Sequence, residues 1–489
     1  MTLTIQDLFP VIPEIFLLAM IALILMVDAF LPEHYRLFTY QISQATLVGV
    51  AILVLMVRPE QSVLCFHDTF VNDPLAALLK VFIVLVTFFV FAYSKPYLQD
   101  RNLFKGEYFI LALMAVLGML VLVSAHSLLT VYLGLELLSL SLYAMVAFHR
   151  ESITASEAAM KYFVLGALAS GMLLYGMSLL YGVTGTLDLI GISNYLVGVV
   201  GEDSLGRDFA GSHSVLIVGL IFVLVGIAFK LGAAPFHMWV PDVYQGAPTA
   251  VTLFIGTAPK IAAFAMLMRL LVDGLIGLRD DWVQMLIIVA ILSMAIGNII
   301  AISQTNLKRM LAYSTIAHAG FLLLGMIAGT KAGFSASTFY VIVYTLMAAG
   351  GFGMIILLSR TGVESDRLDD FKGLNDRSPW YAFLMLIFML SMAGVPPFLG
   401  FWAKWSVLRE LIYADMTWLA VVAACFAIIG LFYYLRVVRL MYFEAPHDRA
   451  PVQPEVGMRV MISANALAIL ALGLYPNALM TACIAAISP

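Results

Sequence analysis

Four ionisable residues stand in apolar stretches where a charge is expensive to keep: Glu136, Lys230, Lys260 and Lys404. A charge at the centre of a membrane-spanning helix costs about 2.5–3.5 kcal/mol on insertion scales, so such residues point to proton or ion paths. Glu136 lies in VYLGLELLSLSLY (131–143), and Ser139 and Tyr143 follow at helical spacing on its own face. Lys230 closes the apolar run 215–229 and is followed at once by LGAAPFHMWVPD. Gly232 weakens a helix there and Pro235 removes a backbone donor, which predicts a break. Broken helices at membrane depth survive only inside protein or beside a watery cavity. An ammonium in such a place is costly to desolvate and can trade its proton. The plainer readings are that Glu136 pins helix packing and that Lys230 bonds carbonyls freed by the break.

Lys260 sits in TLFIGTAPKIAAFAMLM, directly after Pro259, and needs a partner from another helix. Lys404 follows a second interruption, SMAGVPPFLGFWAKW, in which Gly394, Pro396 and Pro397 cannot share an undisturbed helix. Pro235-Phe236 leads to Trp239 and Pro397-Phe398 leads to Trp402. Two interrupted helices in corresponding halves point to an internally repeated transporter. Glu410 is either a partner for Lys404 or an interface charge. His318 follows Ser314 and Thr315, with Lys308 earlier on the same stretch. Histidine titrates near neutral pH and can pass a proton, although a helix-to-helix hydrogen bond serves equally as a reading. Lys161 lies four residues after Glu157, which predicts a local ion pair. Lys80, near the end of its span, is predicted to snorkel.

These residues need a membrane around them, and the composition supplies one. The 489 residues are 63% hydrophobic and 11% charged, against about 25% charged in soluble domains. A spanning helix takes roughly 20 apolar residues. By that measure the chain is an all-α polytopic membrane protein of about fourteen transmembrane helices. Spans are predicted at 13–31, 38–57, 74–94, 107–124, 126–148, 155–182, 214–239, 247–272, 283–304, 308–329, 335–359, 379–412, 416–442 and 457–482. Polar links are predicted at 59–73, 183–212, 360–378 and 443–456. Lysine and arginine crowd the odd-numbered links, Arg101, Arg150, Arg309 and Arg436 among them, which places those links in the cytoplasm and both termini outside. Asp7 and Glu14 replace the basic start of a cleavable signal, so the first span is read as retained. Net charge is −4, with no basic surface for nucleic acid. Cys65, Cys425 and Cys483 are far apart, which argues against an iron–sulfur, haem or zinc site in this chain. No glycine-rich phosphate loop is present in the sequence.

The segments LGAAPFHMWVPDVYQGAPTAVTLFIGTAPKIAAF and MAGVPPFLGFWAKW closely resemble signatures of the antiporter-like subunits of bacterial respiratory complex I, the proton-translocating NADH:quinone oxidoreductase. That family is related to the multisubunit sodium/proton antiporters. The resemblance runs through most of the chain and is most specific between about 107 and 440. It implies two inverted five-helix repeats, each with a broken helix. Residues 1–106 would form helices one to three, 107–272 the first repeat, 283–442 the second, and 457–489 the last helix. Carried over by motif, Glu136 matches the family's fifth-helix glutamate, Lys230 its seventh-helix lysine, and Lys260 the central eighth-helix lysine. Lys404 matches the ionisable residue of the broken twelfth helix. His318, Lys161 and Lys308 fit an accessory hydrophilic path.

The resemblance further implies that protons cross through half-channels joined at Lys230, Lys260 and Lys404, with Glu136 paired to Lys230. It places no cofactor in this chain: NADH, FMN, iron–sulfur clusters and quinone belong to partner subunits. The expected partners are other membrane-arm subunits and the lipid bilayer, in the bacterial cytoplasmic (inner) membrane. A stand-alone sodium/proton antiporter would use the same charges, but sodium favours carboxylate and carbonyl oxygens. Interior lysines outnumber interior acids here, which leans towards protons.

Overall fold

The computed structural model describes residues 8–32, 35–201, 209–359, 363–446 and 451–487. Among the described residues thirteen helices are long and apolar enough to cross a membrane. The interrupted pair Pro379–Ala393 and Leu399–Tyr413 supplies the remaining predicted crossing.

In chain order the helices begin with α1 (Ile12–Phe30) and α2 (Arg36–Met56). A short antiparallel hairpin follows, β1 (Val63–Cys65) and β2 (Phe70–Asn72). Next come α3 (Pro74–Asp100), α4 (Gly106–Val123), α5 (Leu128–Val146), α6 (Ile153–Thr184) and α7 (Leu189–Gly201). The first interrupted region comprises α8 (Phe209–Leu231) and α9 (Trp239–Gly246), followed by α10 (Thr249–Ile255) and α11 (Ala258–Met268). The second half holds α12 (Arg279–Ser303), α13 (Leu307–Ala328), α14 (Lys331–Leu358), α15 (Leu374–Arg377), α16 (Pro379–Ala393), α17 (Leu399–Tyr413) and α18 (Thr417–Phe443). The chain closes with α19 (Val456–Leu474) and α20 (Asn477–Ile487).

Side chains that satisfy orphan backbone donors fix where the helices start. Asp73 caps α3 through Ala76 N at 2.7 Å, Asn306 caps α13 through Arg309 N at 3.0 Å, and Thr330 caps α14 through Gly333 N at 3.0 Å. Gly185 and Gly329 end α6 and α13 in the left-handed conformation. Two helix pairs pack in the same way. A Cβ on Gly118 would lie 2.6 Å from the Leu138 amide, and one on Gly297 would lie 2.5 Å from the Ala317 amide. Glycine thus lets α4 meet α5, and α12 meet α13, backbone to backbone.

Burial sorts the helices into a centre and a rim. The spans Thr249–Gly274, Leu307–Ala328 and Lys331–Leu358 are buried throughout their most apolar stretches, whereas α1, α2, α6, α18 and α19 leave most of theirs at least partly exposed. The central helices carry Lys260, Lys308 and His318, so the polar residues sit where protein rather than lipid surrounds them.

Several expectations need correction. The 59–73 link contains the hairpin, and the 183–212 link contains α7, a helix too short for the membrane. The last predicted span, 457–482, stops at Leu474; Pro476 then separates α20, because it cannot donate into a continuing helix. Lys80 does not snorkel. It is buried, 2.5 Å from the Glu14 carboxylate and 4.9 Å from the Phe70 ring, so a charge partner on α1 replaces water. Arg269, near the end of the predicted span 247–272, is buried against Asp73 and Asp273.

Candidate functional site

At the first break α8 ends after Leu231, and Gly232 adopts a left-handed backbone with φ +75°. Backbone groups freed there need partners, and side chains provide them. Trp239 Nε1 donates to Phe229 O at 3.0 Å, and Ala234 N donates to Ser293 Oγ at 2.8 Å. The Lys260 ammonium, reaching across from α11, donates to Leu231 O at 2.9 Å. It also lies 5.2 Å from the Trp239 ring, a cation–π contact.

The second break repeats this arrangement. α16 ends at Ala393, Gly394 is left-handed with φ +84°, and the Lys404 ammonium donates to Met392 O at 3.1 Å and Ala393 O at 2.9 Å. Phe321 lies 5.1 Å beneath the same ammonium. Glu410, itself buried, pairs with its neighbour Arg409 at 2.8 Å, and among the described residues it forms no ion pair with Lys404.

Lys230, the last polar residue of α8, donates to Ser139 Oγ at 2.8 Å. Ser139 shares the face of Glu136, as the spacing predicts, but Glu136 itself accepts from Ser170 of α6. The expected direct Glu136–Lys230 pair is therefore open, and Glu136 is half-buried, not fully enclosed. Lys230, Lys260 and Lys404 are all buried, and all three ammoniums are held by neutral oxygens; among the described residues none forms an ion pair.

His318 lies in a hydroxyl cluster at the centre of the bundle. Its Nδ1 meets Tyr340 Oη at 2.7 Å and its Nε2 meets Tyr434 Oη at 3.1 Å. Tyr434 also bonds Ser314, and Tyr344 donates to Thr315 Oγ1 at 2.7 Å. The buried Tyr244 hydroxyl faces Thr315 from α9. These tyrosines were missed from sequence. Tyr340 and Tyr344 stand one helical turn apart on a polar stripe that could have been read; Tyr434 and Tyr244 carry no such signal.

Lys161 and Lys308 line the polar end of the bundle. Lys161 makes the predicted bridge to Glu157 at 2.8 Å and a second to Asp242 at 2.9 Å. Arg309 meets the other oxygen of Asp242 at 2.8 Å. Burial pushes the Asp242 carboxyl up, but bonds and charge from Arg309 and Lys161 outweigh it and hold the group below the usual carboxylate range. A cavity of 360 Å³ lies at Glu157, Lys161, Asp242 and Asp366. It shares Asp366, Gln245 and Gly246 with one of 580 Å³ that reaches Lys308 and Glu364. Glu136, Lys230, Lys260, Lys404, Lys161 and Lys308 are thus not one contact chain. With their neighbours they form a Lys230–Ser139 contact between α8 and α5, two lysine-capped breaks, a histidine–tyrosine cluster and a polar cavity region.

A family model described as NADH:quinone oxidoreductase/Mrp antiporter, TM, matches residues 125–430. The solved respiratory complex I of Thermus thermophilus with bound aureothin contains a chain 30% identical to this one. Its TM-score is 0.80, with 97% of this chain and 100% of that chain covered. A chain of the Mrp complex from Dietzia sp. DQ12-45-1b superposes with TM-score 0.86 over 99% of this chain and 97% of that one, at 21% identity, and shares the fold. Fold and site thus define an antiporter-like, multi-pass membrane subunit. The NADH-quinone oxidoreductase subunit N of Thioalkalivibrio sulfidiphilus (strain HL-EbGR7) is 57% identical over 488 residues, covering 100% of both chains. That of Nitrosomonas europaea is 52% identical over 487 residues, covering 100% of this chain and 99% of the relative. The chain belongs to the NADH-quinone oxidoreductase subunit N family, the antiporter-like membrane-arm subunits of complex I.

Proposed function

We propose that this subunit carries protons across the membrane through Glu136, Lys230, Lys260 and Lys404, with Lys161, Lys308 and His318 as accessory groups. The observation that carries the reading is the state of the three lysines, buried and bonded only to neutral oxygens. An amine so placed is sensitive to any change of charge nearby, because no counter-ion fixes its protonation. Hydroxyls and carbonyls accept hydrogen bonds, and a hydroxyl also donates, so the neighbours can pass a proton on.

The open Glu136–Lys230 pair supplies the coupling element. Lys230 sits on Ser139, one turn from Glu136 on the same helix face, so a side-chain swing closes the pair. Two unit charges about 4 Å apart interact by roughly 4 kcal/mol at an effective dielectric of 20. Moving one charge against about 150–200 mV takes roughly 3.5–5 kcal/mol. Making and breaking one pair is therefore of the size needed to move one proton.

The route is organised by two inverted repeats, 107–272 and 283–442, with 1–106 before them and 457–489 after. The energy comes from partner subunits that hold NADH, FMN, iron–sulfur clusters and quinone, and neighbouring membrane-arm subunits pack on the exposed rim helices. The setting is the bacterial inner membrane, with the Lys161 mouth in the cytoplasm and both termini on the periplasmic side, as the lysine and arginine distribution indicates.

The test is proton pumping and NADH:quinone turnover in membranes carrying Lys230→Ala, with assembly of the complex verified. Loss of both in an intact complex supports the route. Normal pumping at normal turnover removes Lys230 from it.

A further inference from the structure

Glu364 enters the bundle from the link after α14 and meets three other elements. Tyr97 Oη of α3 lies 3.1 Å from both carboxylate oxygens, Arg101 Nη2 lies at 3.0 Å, and Thr249 Oγ1 at the start of α10 donates to Oε1. The Lys308 ammonium of α13 stands 3.6 Å away. Lys308 otherwise has the Ala247 carbonyl, at 3.3 Å. Among the described residues Glu364 is the carboxylate that pairs with Lys308. Asp366, the next acid in the same cavity, is engaged by Asn306 at 2.7 Å, and Asp100 and His149 line the wall.

Burial raises the Glu364 carboxyl, but Lys308, Thr249, Arg101 and Tyr97 together outweigh it, so the group lies below the ordinary carboxylate range. It is therefore a fixed negative charge near neutral pH and not a proton carrier. A fixed anion in a narrow polar mouth raises the local concentration of cations, protons included.

We propose that Glu364 is a positioning residue, the counter-charge that sets Lys308 at the mouth of the path and governs delivery of protons to it. This rests on the proton route proposed above. Arg101 shares the same carboxylate, so the helices before the first repeat are tied to the mouth through one side chain.

The experiment compares proton pumping per NADH oxidised, and its rate, in membranes holding the whole complex with Lys308→Met, Glu364→Gln, Glu364→Asp or Glu364→Gln with Lys308→Met. Glu364→Gln is expected to slow pumping severalfold, Glu364→Asp to restore most of it, and the double variant to pump no worse than Lys308→Met alone. If Glu364→Gln does not assemble, Glu364→Asp alone and combined with Lys308→Met gives the same reading, a partial loss that adds nothing to the loss of Lys308→Met in the double variant. Full pumping by Glu364→Gln, no rescue by Asp, or losses that multiply in the double variant would overturn the proposal. Lys230→Ala separates the two ideas. Normal pumping there, with Glu364 and Lys308 still coupled, sinks the central route and leaves the mouth pair standing.

Discussion

The Lys260 and Lys404 ammoniums occupy matching points at two helix breaks: one donates to Leu231 O at 2.9 Å just before Gly232, the other to Ala393 O at 2.9 Å just before Gly394. The match is one of position and not of descent along the chain. Lys260 arrives from the helix after the break, across the bundle, whereas Lys404 belongs to the second half of its own broken helix. In both places the ammonium takes the role that an intrahelical amide would fill, so charge state and backbone geometry are linked.

Replacing Lys260 by arginine separates those two roles. Arg is always charged and can still cap the Leu231 carbonyl, but it does not release a proton. Lys260→Arg is therefore expected to assemble and yet lower pumping at least about tenfold, within the contribution of a proton-transferring group. Proton uptake by inverted vesicles checks this; uptake at the wild-type rate would return Lys260 to a purely capping part.

Gly394 fixes the position of Lys404. A Cβ there would lie 2.8 Å from Lys404 Cδ, and φ is +84°, a conformation costly for any residue with a Cβ, by about 1–2 kcal/mol. Gly394→Ala should slow pumping severalfold in an assembled complex. Gly185, with φ +71° and nothing within 4 Å of its Cβ position, is the control. Gly185→Ala carries the same backbone cost and should pump normally, as the same vesicle assay would reveal.

His318 has a tyrosine hydroxyl on each ring nitrogen, but the two differ in what else they hold. Tyr434 also bonds Ser314, so Tyr434→Phe strands two buried groups, whereas Tyr340→Phe strands one. Each unsatisfied buried polar group costs about 1–3 kcal/mol. The purified complex should melt earlier with Tyr434→Phe than with Tyr340→Phe, and pump more slowly. Equal melting temperatures would mean that the cluster is not a connected network.

The membrane class, the spans and both breaks were legible because lipid imposes strong rules on local sequence. Gly232-to-Pro235 and Gly394-to-Pro397 cannot be read as continuous helix, and Lys260 stands out in an apolar stretch. Partners across the bundle were not legible. Nothing near Lys80 announces Glu14, which is distant in sequence, and Ser170 and Ser139 divide what reads as a Glu136–Lys230 pair. Glu364 lies in a polar link where a carboxylate attracts no notice, and only folding sets it beside Lys308. Arg269 shows the same limit, since hydropathy places it at a helix end while its two acidic partners decide that it is buried.

That last cluster leads to a prediction about stability as opposed to transport. Arg269 holds Asp73 through both carboxylate oxygens, at 2.7 and 2.9 Å, holds Asp273 at 3.0 Å, and donates to Val123 O at 3.0 Å. Asp73 also caps α3, so the guanidinium ties the start of α3 to the ends of α4 and α11. Removing one partner of a buried ion pair typically costs about 3–5 kcal/mol, because the other charge is stranded. Arg269→Met should therefore lower the amount of assembled complex, and Arg269→Lys should restore only part, since a lysine lacks the planar fork that pairs with both Asp73 oxygens and has fewer donors than the four bonds need. Burial pushes the Asp73 carboxyl up, but Arg269 outweighs it and sets the group below its ordinary value. A depressed carboxyl adds stability that is complete above its unfolded value, about 4, and is lost as pH falls through the folded value. The melting temperature of wild type should exceed that of Asp73→Asn by a constant margin from neutral pH down to about 5, and the margin should shrink only below about 4. A margin that closes already between pH 7 and 5 would show that another group carries the acid sensitivity of this face.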